Sequence, residues 1–99
     1  MRGGFFPPLL VFGENMNEIT IYGQDRCGHC VRAKVHLERA NIPFTYRDIA
    51  DPADKAEMFR RNPKAKTVPQ IFIGERLIGG ADQLVALPLS ELQQMIGGK

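Results

Sequence analysis

Tryptophan is absent from the 99 residues, and cysteine occurs only twice. So few cysteines exclude a small secreted scaffold stapled by several disulfides, which needs more of them at wider spacings. A single close pair suits a reducing compartment in which thiols are kept for chemistry, so a cytoplasmic location is expected. An excess of one charge is missing too. The 13 basic and 11 acidic residues leave a formal charge of +2, too balanced to imply nucleic acid or an acidic membrane surface as a partner. No apolar run approaches the roughly 18 residues of a membrane span. A chain of this length with 43% hydrophobic residues can build one small core, with no room for a second domain.

Residues Met1 to Asn15 differ in character from the rest of the chain. Phe5-Phe6-Pro7-Pro8-Leu9-Leu10-Val11-Phe12 is apolar, yet its paired prolines block a regular helix and remove ladder donors. The stretch fits neither a signal peptide nor a mitochondrial leader. It reads as a disordered leader, carried over from an upstream start or from cloning, ahead of a domain spanning 16–99.

From Met16 onward the punctuation is regular. Glu18 to Tyr22 reads as a strand, and Gly23 to Arg26 as a loop. A helix is expected from Gly28 to Ala40, with Val31, Val35 and Leu37 facing inward and Asn41 stopping it. Phe44 to Asp48 is the second strand. Asp51-Pro52 has the form of a helix start, an N-cap acid followed by proline at the first helical position. That helix carries Ala56, Met58 and Phe59 and ends near Asn62-Pro63. Gln70 to Ile73 and Arg76 to Ile78 are strands joined by Gly74-Glu75, a two-residue hairpin turn. Two short helices come after them, the last opening on Ser90-Glu91-Leu92-Gln93 in the pattern of a capping box. The order predicts a mixed sheet with helices on its faces.

The two cysteines sit three residues apart in Arg26-Cys27-Gly28-His29-Cys30, between the first strand and the first helix. A thiol at a helix start meets unpaired backbone N–H groups and the positive end of the dipole, which favour thiolate. Cys27 is therefore the expected nucleophile. Cys30, one turn on, lies on the same face and can close a disulfide with it. A zinc site needs four ligands, and only His29 and His36 remain to supply them, so no metal is expected. Two further segments are informative. In Lys66-Thr67-Val68-Pro69-Gln70-Ile71-Phe72-Ile73 a proline precedes an apolar strand, and Gly79-Gly80-Ala81-Asp82 puts two glycines ahead of a helix.

Taken together, the Cys-x-x-Cys after the first strand, Thr67-Val68-Pro69-Gln70-Ile71-Phe72-Ile73-Gly74 and Ile78-Gly79-Gly80-Ala81-Asp82-Gln83-Leu84 resemble the glutaredoxins, in particular the short bacterial dithiol kind. The resemblance covers Met16 to about Leu92. It implies a thioredoxin-like fold with a four-stranded mixed sheet. It also implies glutathione-dependent reduction of protein disulfides and of protein–glutathione mixed disulfides. Cys27 would attack and Cys30 resolve. Val68, beside Thr67 and ahead of a cis Pro69, would pair by backbone with the cysteine of glutathione. Gly80, Ala81 and Asp82 would receive its γ-glutamyl end, and Lys55 its glycine carboxylate. Arg60, Arg61, Lys64 and Lys66 read as solvated charges that raise the local concentration of anionic glutathione.

Two departures matter. Dithiol glutaredoxins usually carry Pro-Tyr between their cysteines, whereas this chain has Gly28-His29, the pairing found in protein disulfide isomerases. Two expectations stand for His29: it tunes the site by favouring the Cys27 thiolate, making the disulfide more oxidising, or it is an exposed ring replacing an aromatic contact to glutathione. Gln24 stands where many members place a lysine, and Arg26 is the nearby candidate to compensate. Gly28 also opens an alternative. Some glutaredoxins with glycine there hold a [2Fe–2S] cluster between two subunits, ligated by that first cysteine and by two glutathiones. A monomer is expected otherwise. Ribonucleotide reductase is a further candidate partner.

Overall fold

The computed structural model describes residues 18–97, so the leader expected over Met1 to Asn15 lies outside the described residues. Four strands, β1 (Ile19–Gly23), β2 (Thr45–Asp48), β3 (Gln70–Ile73) and β4 (Arg76–Gly79), form one sheet in the order β2-β1-β3-β4. β1 pairs with β2 in parallel and with β3 antiparallel, and β3 pairs antiparallel with β4. The parallel pair requires a crossover, which α1 (Gly28–Arg39) provides. The expected mixed, four-stranded, thioredoxin-like sheet is the one present.

Alternation along the two central strands sorts the core into two layers. Ile19, Ile21, Ile71 and Ile73 point to one face, where they pack with Ala33 and Leu37 of α1, Leu84 of α3 (Ala81–Ala86) and Leu92 of α4 (Leu89–Gly97). Tyr22 and Phe72 point to the other, against Met58 of α2 (Pro52–Arg61) and Ala65. Both central strands are buried on two sides, which is why they read as nearly continuous apolar runs. Among the described residues, no helix is long and apolar enough to cross a membrane.

Helix ends follow local chemistry. Asn41 adopts φ 60, the left-handed conformation that ends helices. Its N–H bonds to the Glu38 carbonyl and that of Ile42 to the Leu37 carbonyl, both at 3.0 Å. Buried Ile42 and Leu37 then share the first core cluster. Asp51 caps α2 as expected, accepting from the Ala53 N–H at 2.9 Å with Pro52 next in line. Gly74 takes φ 61 in the β3–β4 turn, and a bulge at Ile78 shifts the register of β4.

Three expectations differ from the structure. Val31 is exposed, because α1 turns Cys30, Ala33 and Leu37 inward and leaves Val31 on its outer side. Ser90 does not cap α4, which already begins at Leu89; the Pro88 carbonyl accepts from the Leu92 N–H at 2.9 Å and opens the helix earlier. Arg61 is no solvated charge. Its guanidinium donates to the Tyr22 hydroxyl at 2.9 Å and to the Gly74 carbonyl, and stacks 4.2 Å from the Phe72 ring centroid. It straps α2 to the sheet.

Candidate functional site

The site starts at the end of β1. Arg26 adopts φ 59, uncommon for a residue with a side chain, and delivers Cys27 to the N-cap of α1 in an extended conformation. A serine or aspartate oxygen would usually accept the first free helix donor. Here the Cys27 sulfur does so, at 3.2 Å from the Cys30 N–H. Both thiols are free. Cys27 is partly accessible, whereas Cys30 is only 1% exposed. Burial pushes the Cys30 thiol up to about 11; the adjacent Cys27 adds to this, while the Gln24 backbone and the Tyr46 hydroxyl act against it. The pair thus divides into an accessible sulfur aligned with a helix start and a buried one that holds its proton at neutral pH.

The segment before β3 comes up beside Cys27, and a chain of side-chain amides shapes it. Asn62 donates to Gln70 Oε1 at 2.9 Å, and buried Gln70 donates to the Thr67 carbonyl at 2.7 Å. The Val68–Pro69 bond is cis, and the Val68 carbonyl lies 3.8 Å from Cys27 Sγ.

Two depressions meet at Thr67 and Val68. One, of about 290 Å³, runs past His29 and Pro69 to Gly80, Ala81 and Asp82. The other, of about 200 Å³, runs to Gln24, Lys55 and Lys66. The candidate residues Thr67, Val68, Pro69, Gly80, Ala81, Asp82 and Lys55 therefore come together along one path beside the thiols. Lys66, read from the sequence as a solvated charge, lines this path too. The Gly80 N–H is already taken by Gln83 Oε1 at 2.8 Å, and Gly79 at φ 122 makes the turn that allows it.

An ion pair at the Asp82 end has no signature in the sequence. Arg32 donates to Asp82 Oδ1 at 2.6 Å and lies 3.2 Å from His29 Nδ1. A guanidinium can only donate, so Nδ1 is the acceptor and the imidazole proton of this arrangement sits on Nε2. The Arg32 hydrogen bond holds the Asp82 carboxyl below its usual range. Arg32 and Asp82 are fifty positions apart, on α1 and α3, and only the packing of those helices joins them. Tyr46 has no signature in the sequence either: it comes near Cys30 across Gly23 because β2 pairs in parallel with β1, setting Tyr46 opposite Ile21.

A glutaredoxin family model matches residues 19–78, which includes both cysteines and the Thr67-Val68-Pro69 segment. The chain is 40% identical over 73 residues to Glutaredoxin 3 of Escherichia coli (strain K12), covering 73% of this chain and 87% of that protein. It is 41% identical over 75 residues to a glutaredoxin of Pseudomonas aeruginosa, covering 73% and 86%. In structure it is similar to a glutaredoxin from Brucella melitensis, with a TM-score of 0.62 at 37% identity over 89% of this chain and 98% of that one. A partly open thiol on a helix start with a second thiol one turn behind it suits dithiol–disulfide exchange, and the family-model match and the identity to known glutaredoxins show that the chain belongs to the glutaredoxin family of thiol–disulfide oxidoreductases.

Proposed function

We propose that the protein uses glutathione to reduce protein disulfides and protein–glutathione mixed disulfides, with 16–99 as the working domain and a reducing, cytoplasmic setting as its place of action. The observation that carries this reading is the position of Cys27 Sγ, 3.8 Å from the Val68 carbonyl where the two depressions meet. A γ-glutamyl-cysteinyl-glycine laid along them has its sulfur at Cys27, its ammonium near Asp82 and its glycine carboxylate near Lys55 and Lys66. The Val68 backbone supports the central residue. Cys27 thiolate attacks the substrate disulfide, a mixed disulfide forms, and either a second glutathione or Cys30 releases the product. His29 sits at the mouth of the groove and tunes the dithiol from there.

The test is a coupled assay comparing glutathione plus glutathione reductase with thioredoxin reductase as electron source. Turnover with the first is expected; turnover with thioredoxin reductase alone would sink the reading and favour a thioredoxin-fed donor to a partner such as ribonucleotide reductase. Asp82→Asn gives a finer check. Because the ligand ammonium must displace Arg32 from an exposed carboxylate, the effect is modest: a rise of about three- to fivefold in KM for glutathione with little change in kcat.

A second reading is supported by Gly28. A Cβ built there would meet nothing within 4 Å, so the space beside Cys27 is open for a [2Fe–2S] cluster shared by two copies and two glutathiones. Visible absorbance after anaerobic purification, with a dimer lost on adding chelator, would carry it; a colourless monomer under those conditions would remove it.

A further inference from the structure

Gly23, the last residue of β1, has no side chain, and two groups converge on the space this leaves. A Cβ built there would lie 2.5 Å from Tyr46 Oη and 2.9 Å from Cys30 Sγ. Tyr46 packs against the core layer that α1 covers. Its ring is held by Lys34 of α1, whose Nζ lies 4.1 Å from the ring centroid. The hydroxyl donates to the Gln24 carbonyl at 3.5 Å, the long limit of a hydrogen bond. A phenol with so weak an acceptor retains a proton to offer. The sulfur converging with it is the one that must become anionic before the dithiol can close.

We propose that the Tyr46 hydroxyl is a positioning donor for Cys30, turning from the Gln24 carbonyl to the Cys30 sulfur as that sulfur ionises and so speeding resolution of the mixed disulfide. This rests on the proposed function in taking Cys30 as the resolving thiol. In the step, the Cys30 thiol releases its proton to water and the resulting thiolate bonds to Cys27 Sγ. The bond between Cys27 Sγ and the substrate sulfur breaks, and the substrate thiolate leaves with the electron pair and takes up a proton. The two cysteines are oxidised by two electrons in total, and the substrate disulfide is reduced to two thiols.

Tyr46 keeps its own proton throughout. Burial, followed by the charges of Cys30, Asp48 and Cys27, pushes its hydroxyl above the ordinary phenol range. The titratable and charged groups around the pair are thus Cys27 at the N-cap of α1, Lys34 on α1 and Asp48 on β2. For Cys30, burial is the largest opposing effect, and the Tyr46 hydroxyl works against it.

Tyr46→Phe keeps the ring, its packing over Gly23 and the Lys34 contact while removing the donor. The first readout is the pH dependence of Cys30 alkylation by iodoacetamide in a Cys27→Ser background, which needs neither glutathione nor turnover. Loss of a hydrogen bond to a charged sulfur is expected to raise the inflection by about one pH unit, a roughly tenfold smaller thiolate fraction at fixed pH. Gly23→Ala, which drives the phenol and the sulfur apart, is expected to raise it likewise. The second readout is dithiol reduction of a protein disulfide, expected to fall by a similar factor in Tyr46→Phe, with no such fall when the substitution is added to Cys30→Ser and deglutathionylation is measured. An unmoved inflection, or equal losses with and without Cys30, overturns the proposal. A raised inflection in a protein that glutathione fails to reduce supports the proposal while overturning the proposed function.

Discussion

Cys27→Ser is expected to abolish both proposed reactions, with a loss of at least about a thousandfold, because the other of the two cysteines is buried. Cys30→Ser is expected to separate them. Deglutathionylation needs one protein thiol and a free glutathione, so it continues. Reduction of protein disulfides through the dithiol route needs the intramolecular attack of Cys30 and falls away. The burial that distinguishes the two residues is the physical basis of the expected split: Cys27 is partly accessible, and Cys30 lies behind it at 1% exposure. If both activities disappeared together in Cys30→Ser, this division of labour would be wrong.

The same burial has a stability consequence. Cys30 is raised from 9.0 to about 11 in the folded state. Between those values the unfolded chain has lost the thiol proton and the folded chain has kept it. The contribution is therefore fully present below pH 9.0 and lost as pH rises through about 11. Reduced wild-type protein is expected to show this alkaline loss in denaturant midpoints, and Cys30→Ser, which has no thiol to ionise there, is expected to lack that component.

Phe72→Ala should be the more damaging change for the fold, costing about 3–5 kcal/mol as a large buried ring is replaced by a cavity. Phe72 is 1% exposed and makes an edge-to-face pair with Tyr22, centroids 5.8 Å apart at 86°. It also carries the Arg61 guanidinium. Against the roughly 5–15 kcal/mol that stabilises a small domain, such a loss is a large fraction. Val68 and Ile49 pack on the same cluster, so the Val68 segment should loosen before the protein unfolds. A rise in KM for glutathione at temperatures where circular dichroism still reports a folded protein would be the functional sign. An unfolding free energy within about 1 kcal/mol of wild type would show that the site collapses around the smaller side chain more fully than such cores usually allow.

Much of the molecule was legible in the chain because it is written in local chemistry. Asp51-Pro52 caps a helix through groups within two residues of each other, and Asn41 ends one through its own backbone conformation. Cys-x-x-Cys at a strand-to-helix junction is likewise a local statement, since the helix start and its free donors lie within the same few residues. Local chemistry is silent where one residue's neighbours come from far along the chain. Arg61 looked like any surface arginine at a helix end, and only the stacking of α2 on the sheet turned it onto Phe72. Val31 looked like a core residue, and only the angle at which α1 meets the sheet put it outside.

The order of elements, the close pair of cysteines and the family motifs around them follow from short stretches of chain, because helix caps, strand alternation and a Cys-x-x-Cys act over a few residues. How the two sulfurs differ and what surrounds them came only from the packing of the whole domain. Cys30 is buried because α1 packs on β1, Tyr46 reaches it because a parallel partner strand lies beside a glycine, and Arg32 occupies Asp82 because α1 and α3 pack together. Burial and long-range pairing set the proton affinity of a thiol and the occupancy of a groove, and neither is a property of any short stretch of residues.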